Sequence, residues 1–175
     1  RRLLDAVSSF VDYGDLLLDQ ASIMYPPQAF SAALRYPLQE ANVEPLQVLL
    51  PAPLYLIARI IPGIGLIQAL YLFNVIVVAA SGCLVYLYAL TLGYRASVGL
   101  LAALAFGIGT AAFPYTKSFF REPLVMLTLL LCGIFIERLR ATSYRSPLYL
   151  FAVILALQAV LLAKASALLA IPALL

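Results

Sequence analysis

Lys117, Arg121 and Glu122 stand within six positions of one another, in the stretch Phe113-Pro-Tyr-Thr-Lys-Ser-Phe-Phe-Arg-Glu-Pro-Leu124 between two long apolar segments. Two cations beside the hydroxyls of Thr116 and Ser118 suit a phosphate or pyrophosphate, which charge-assisted hydrogen bonds hold well. Tyr115 is grouped with them as a binding residue, and Lys164 adds a third cation facing the same aqueous mouth. Asp5, Asp12, Asp15 and Asp19 are further acids that could include a general base or a metal ligand. Asp5 and Asp12 are seven apart, so a helix puts them on one face. Each group also has a plainer reading. Lys, Arg and Tyr anchor helix ends at a membrane surface, a terminal lysine snorkels, and spaced acids mark the wet face of an amphipathic helix. An ionisable side chain costs about 2.5–3.5 kcal/mol at the centre of a membrane helix. Three so close together are therefore either in use or at a water-facing end.

The elements around them are those of a membrane protein. The 175 residues are 65% hydrophobic and 11% charged, against about 25% charged for soluble domains. No single soluble core of this size could hide so much apolar surface, so lipid must solvate most of it. The net charge of +3 is too small and scattered to argue for nucleic acid as a partner. Cys83 and Cys132 lie far apart in apolar runs and histidine is absent, which excludes a Cys/His metal shell. No phosphate-binding glycine loop, dinucleotide fingerprint, nucleophile elbow or zinc-protease signature occurs. The chain opens on Arg1-Arg2 and ends inside an apolar run, and so reads as a fragment of a longer protein.

The expected fold is all-α, a polytopic transmembrane bundle with amphipathic juxtamembrane helices in a first extracytoplasmic loop. That loop is residues 1–62. Leu3, Leu4, Val7, Phe10 and Val11 recur at helical spacing, which predicts a surface helix over 2–13, closed by Gly14. Pro26, Pro27, Pro37 and Pro45 make 25–45 a loop. Residues 48–61 are apolar but too short to span, and predict an interfacial helix with Arg59 snorkelling. Residues 63–175 hold the spans, at about 66–90, 96–112, 121–140, 147–163 and a truncated 165–175. Asn74, Ser81 and Gln68 in the first span could bond across helices. Arg95, Arg138, Arg140 and Arg145 fall on one side of the membrane, and Lys117, Arg121 and Lys164 on the other. Four against three leans towards a cytoplasmic location for the first set.

In order and spacing the chain resembles the GT-C superfamily of integral membrane glycosyltransferases, in the polyprenyl-phosphate-sugar-dependent mannosyltransferase and aminoarabinose transferase branch. Arg2 and Gly14-Asp15 stand at the spacing of that family's first juxtamembrane helix. Pro51-Ala52-Pro53-Leu54-Tyr55 looks like its P-x-L-Y motif. Glu122-Pro123 matches an acid and proline opening a span, and Leu161-Leu162-Ala163-Lys164 matches a helix ending in lysine. The likeness covers nearly the whole chain. It departs where Leu49-Leu50 replace a frequent His or Lys, where Glu122 replaces the commoner Asp, and where the family's acidic pair would fall just before Arg1.

The resemblance implies transfer of a sugar from a polyprenyl-phosphate donor to an acceptor on the extracytoplasmic face, by a multi-pass protein of a bacterial plasma membrane acting in cell-envelope chemistry. A carboxylate would deprotonate the acceptor for inverting attack, and cations would stabilise the leaving lipid phosphate. It assigns Glu122 and Asp5 to the catalytic side, and Lys117, Arg121, Lys164, Arg2 and Tyr115 to substrate and phosphate. It makes no cofactor certain and admits a divalent metal. The donor lipid and membrane lipids are the expected partners. A transporter or flippase-like subunit of a lipid-linked glycan pathway, or a non-catalytic scaffold, remains the alternative. An acidic pair within about five positions before Arg1 would favour the transferase.

Overall fold

A computed structural model describes residues 2–14, 16, 43–61 and 63–173. Among them there is helix and no strand. Asp15, Asp19, Glu40 and the prolines Pro26, Pro27 and Pro37 lie outside the described residues. The chain divides into two compact units, 1–73 and 74–175, and the boundary falls within one long helix.

In the first unit α1 (Arg2–Tyr13) packs on α2 (Pro45–Leu49) and α3 (Ala52–Ile60). Gly14 ends α1 with φ 75°, its N–H donating to Phe10 O at 3.1 Å, which is the left-handed conformation that favours glycine. The apolar stretch 48–61 is broken in two around Leu50 and Pro51. A proline tolerated in a first turn cannot sit inside a helix, and α3 accordingly restarts at Ala52 with Pro53 beside it. Leu4, Val7, Val48, Ala52, Tyr55 and Ala58 are buried.

The expected wet face of α1 needs correction. Asp5, Ser8 and Ser9 are buried at 7%, 6% and 0% exposure. Two helices cover α1, so burial extends beyond its apolar stripe. Ser8 meets this burial within its own helix, donating from Oγ to Asp5 O at 2.8 Å.

The long helix is α4 (Leu66–Thr91). Its 26 residues rise about 39 Å, and it alone among the described residues is long and apolar enough to cross a membrane. Gly93, with φ 86°, stops it. Tyr94 N–H donates to Ala89 O and Gly93 N–H to Leu90 O, each at 3.1 Å, closing the last turn as a Schellman motif.

The second unit continues with α5 (Ala96–Gly109), α6 (Ala112–Tyr115), α7 (Glu122–Ala141), α8 (Pro147–Ala163) and a 3-10 helix at Ala165–Ala173. Gly99 lies against Tyr86, where an added Cβ would come within 3.1 Å of the ring and 3.3 Å of the backbone oxygen. Cys132, Ile136 and Leu139 of α7 pack with Val153 and Ala156 of α8, and Ile171 closes on this core.

A polytopic bundle asks more of these helices than their lengths provide. α5 and α8 have 14 and 17 residues, short of the roughly 20 that cross a bilayer. α7 has 20 but carries Glu122, Glu137, Arg138 and Arg140. The apolar stretch expected to begin a fifth span is a 3-10 helix containing Pro172, which has no N–H to give a continuing α-helix.

Candidate functional site

α7 and α8 form an antiparallel hairpin, and its open end gathers the ionisable groups. Glu122 is the first residue of α7, where the positive end of the helix dipole favours a carboxylate. Lys164 caps the C-terminus of α8, where a cation is favoured. The pairing of the two helices brings them together, with Lys164 Nζ 3.5 Å from Glu122 Oε1. Arg121 Nε is 4.0 Å from the same oxygen. All three side chains are between three-tenths and four-tenths exposed. Such ion pairs contribute about 0–1 kcal/mol, so stability alone is a weak reason for the cluster. Glu122 Oε2 is buried and has no hydrogen-bond partner.

The loop before α7 is held by a residue to which sequence reasoning attached no chemistry. Asn74 is wholly buried in α4. Its Nδ2 donates to Ser118 O at 2.8 Å and to Phe120 O at 2.9 Å. Asn74 Oδ1 is buried without a partner. An amide inside an otherwise apolar span was the available signal; its target could not be read from spacing. Ser81, by contrast, bonds back to Val77 O in its own helix, at 2.8 Å.

The hydroxyls expected to face a phosphate are bonded to the backbone of their own turn. Thr116 Oγ1 donates to Phe113 O at 2.7 Å and Ser118 Oγ to Tyr115 O at 3.3 Å. Lys117 is exposed, its Nζ 5.6 Å from the centre of the Phe113 ring, within cation–π range. Tyr115 meets Phe120 edge to face, with ring centres 6.0 Å apart. The predicted residues of this unit therefore fall into two groups. Arg121, Glu122 and Lys164 form one, and Lys117 and Tyr115 sit on the aromatic side of the loop.

Asp5 and Arg2 belong to the first unit. Asp5 is buried in α1, and the Arg2 side chain lies outside the described residues. Asp12 of the same helix pairs with Arg59 and accepts from the Tyr55 hydroxyl at 3.4 Å. Burial, then the charge of Asp12 and the bond to it, push the Tyr55 hydroxyl above the usual tyrosine value of 10.0. Among the described residues no three His, Cys, Asp or Glu side chains converge as a metal cage would require.

Two apolar hollows lie among the described helices of the second unit. One, of about 730 Å³, lies between α4 and α5 along Gly82, Cys83, Tyr86, Ala96, Leu100 and Leu104. The other, of about 280 Å³, lies among α4, α5 and α7 along Val85, Tyr88, Phe106, Met126 and Leu129. Comparison of the chain with protein-family models, curated proteins and solved structures gives no match in any of the three.

Proposed function

We propose that the protein is a multi-pass membrane glycosyltransferase of GT-C type, moving a sugar from a polyprenyl-phosphate donor to an acceptor on the extracytoplasmic face. The observation that carries this reading is the cluster at the open end of the α7–α8 hairpin, where Glu122 lies against Lys164 and Arg121. A carboxylate and two cations are the groups such a transfer needs. A carboxylate takes the proton of the acceptor hydroxyl, whose oxygen bonds to the anomeric carbon as the bond to the donor phosphate breaks. The phosphate leaves with the electron pair, and cations stabilise it. In this reading Glu122 serves the acceptor and Lys164 and Arg121 serve the phosphate, while Lys117 and Tyr115 belong to the loop that leads into α7.

Multi-pass insertion is part of the proposal. Leu100, Leu101, Leu104 and Ile108 of α5 and Leu148, Phe151, Ile154 and Leu155 of α8 are all exposed. Apolar patches of this extent need a partner or lipid, and helices flanking α4 (Leu66–Thr91) can share its bilayer where it thins around them.

The test is transfer from a radiolabelled polyprenyl-phosphate-sugar pool by the full-length protein. Glu122→Gln and the double variant Lys117→Ala/Arg121→Ala should each abolish transfer while still inserting in the membrane. Normal turnover in Glu122→Gln removes that residue from the site. No transfer from any of several donors by the parent moves the reading to a lipid transporter or scaffold.

A further inference from the structure

We infer that Glu122 is a built-in counter-anion, occupying the cations of Lys164 and Arg121 until a phosphate takes its place. The inference rests on the transferase reading for the source of the phosphate, a lipid headgroup, but its chemistry is that of any phosphate ester. Three observations lead to it. Both cation contacts converge on Oε1, at 3.5 and 4.0 Å, well beyond the 2.7–2.9 Å of a tight charge-assisted bond. The second oxygen, Oε2, is buried without a hydrogen-bond partner, so the carboxylate is only half used where it stands. The cations come from two elements, the residue before α7 and the cap of α8, so the fold builds the cluster and sequence adjacency alone does not.

A carboxylate held this loosely is cheap to displace. A phosphate brings more acceptor oxygens, and the N-terminus of the 20-residue α7 offers it the same positive dipole end. Once displaced, the carboxylate remains tethered beside its rival. It competes with the phosphate after the sugar has gone and so drives out the lipid phosphate product. Glu122 would thus set the balance between capture of the donor and release of the spent carrier.

The measurement is phosphate affinity of the full-length protein in nanodiscs, with inorganic phosphate in one arm and polyprenyl phosphate in the other. Uncharged polyprenol is the control. Glu122→Gln should bind phosphate about tenfold more tightly than the parent. Glu122→Asp, which keeps the charge but draws it back by one methylene, should gain a few-fold. Lys164→Met should erase the gain when combined with Glu122→Gln. A gain in either arm or both supports the inference, and a gain in one arm alone identifies the lipid headgroup or free phosphate as the source. Unchanged or weaker affinity in both Glu122 variants overturns it, as does phosphate binding by none of the proteins. The two readings fail separately. Sugar transfer by the parent with no gain in the variants removes the counter-anion only. A gain in the variants with no transfer by the parent removes the transferase only.

Discussion

Replacing Asn74 with leucine tests whether the long helix α4 positions the basic loop. Asn74 donates two hydrogen bonds, at 2.8 and 2.9 Å, to the carbonyls of Ser118 and Phe120. Each is worth about 1 kcal/mol net, and a carbonyl left without a partner away from water costs a further 1–3 kcal/mol or so. Leucine has the same branching and the same number of side-chain heavy atoms, and it also removes the orphaned Oδ1, which returns part of that cost. The balance is a loss of about 2 kcal/mol, or a fall in Tm of roughly 4–8 °C for a chain of this size. The damage should be local. The loop holds Lys117 and Arg121, both trypsin sites, so limited proteolysis of the inserted protein reads its opening directly. Cleavage there should rise by about tenfold or more in Asn74→Leu. Asn74→Asp should be worse still at neutral pH, because a carboxylate would face two carbonyl oxygens. A leucine variant as heat-stable and as protease-resistant as the parent would refute the account.

Three further outcomes follow from other parts of the fold. Tyr55 has its hydroxyl raised above 10.0 by burial and by Asp12; the unfolded chain then loses the proton first, so the stability that Tyr55 contributes is held below about pH 10 and lost as pH rises beyond it. Tyr55→Phe should remove that fall in a pH series of thermal melts. Ser143 and Tyr144 both adopt left-handed backbone, with φ 50° and 61°, at about 1–2 kcal/mol per non-glycine residue; Ser143→Gly should raise stability by about 1 kcal/mol in the same melts. Gly99→Leu should cost about 1–3 kcal/mol by overpacking, because the backbone oxygen of Tyr86 stands 3.3 Å from the new Cβ and cannot rotate away.

What could be read from sequence was what local chemistry dictates. Gly93 needs its positive φ, Pro147 suits a helix start, and Arg95 and Glu137 lie near where apolar runs end; the helices Leu66–Thr91 and Pro147–Ala163 and the start of Ala96–Gly109 follow from such signals, whereas the end of the last comes at Gly109 and not at 112. What escaped was decided by which elements touch. Nothing in the spacing of α1 says that α2 and α3 cover Asp5, Ser8 and Ser9. Lys164 has only Ser166 as a polar neighbour in sequence, and its partner Glu122 is more than 40 positions away and meets it only once the hairpin closes. Thr116 and Ser118 were candidates for a ligand, yet a turn lets each hydroxyl reach its own backbone at lower entropic cost. The 3-10 helix at Ala165–Ala173 escaped for a related reason, since composition alone cannot tell a tight connector from the start of a span.

The α7–α8 hairpin also bears on how the chain is made. Its two helices are joined by a turn of a few residues and its core lies between Cys132 and Leu157, with only Ile171 added from beyond. Contacts so close in sequence form early and cost little loop entropy. The hairpin can therefore close as soon as α8 has emerged from the ribosome, before anything downstream exists. Closure brings Lys164 to Glu122, so the charge cluster would be assembled during synthesis, while the protein is still growing.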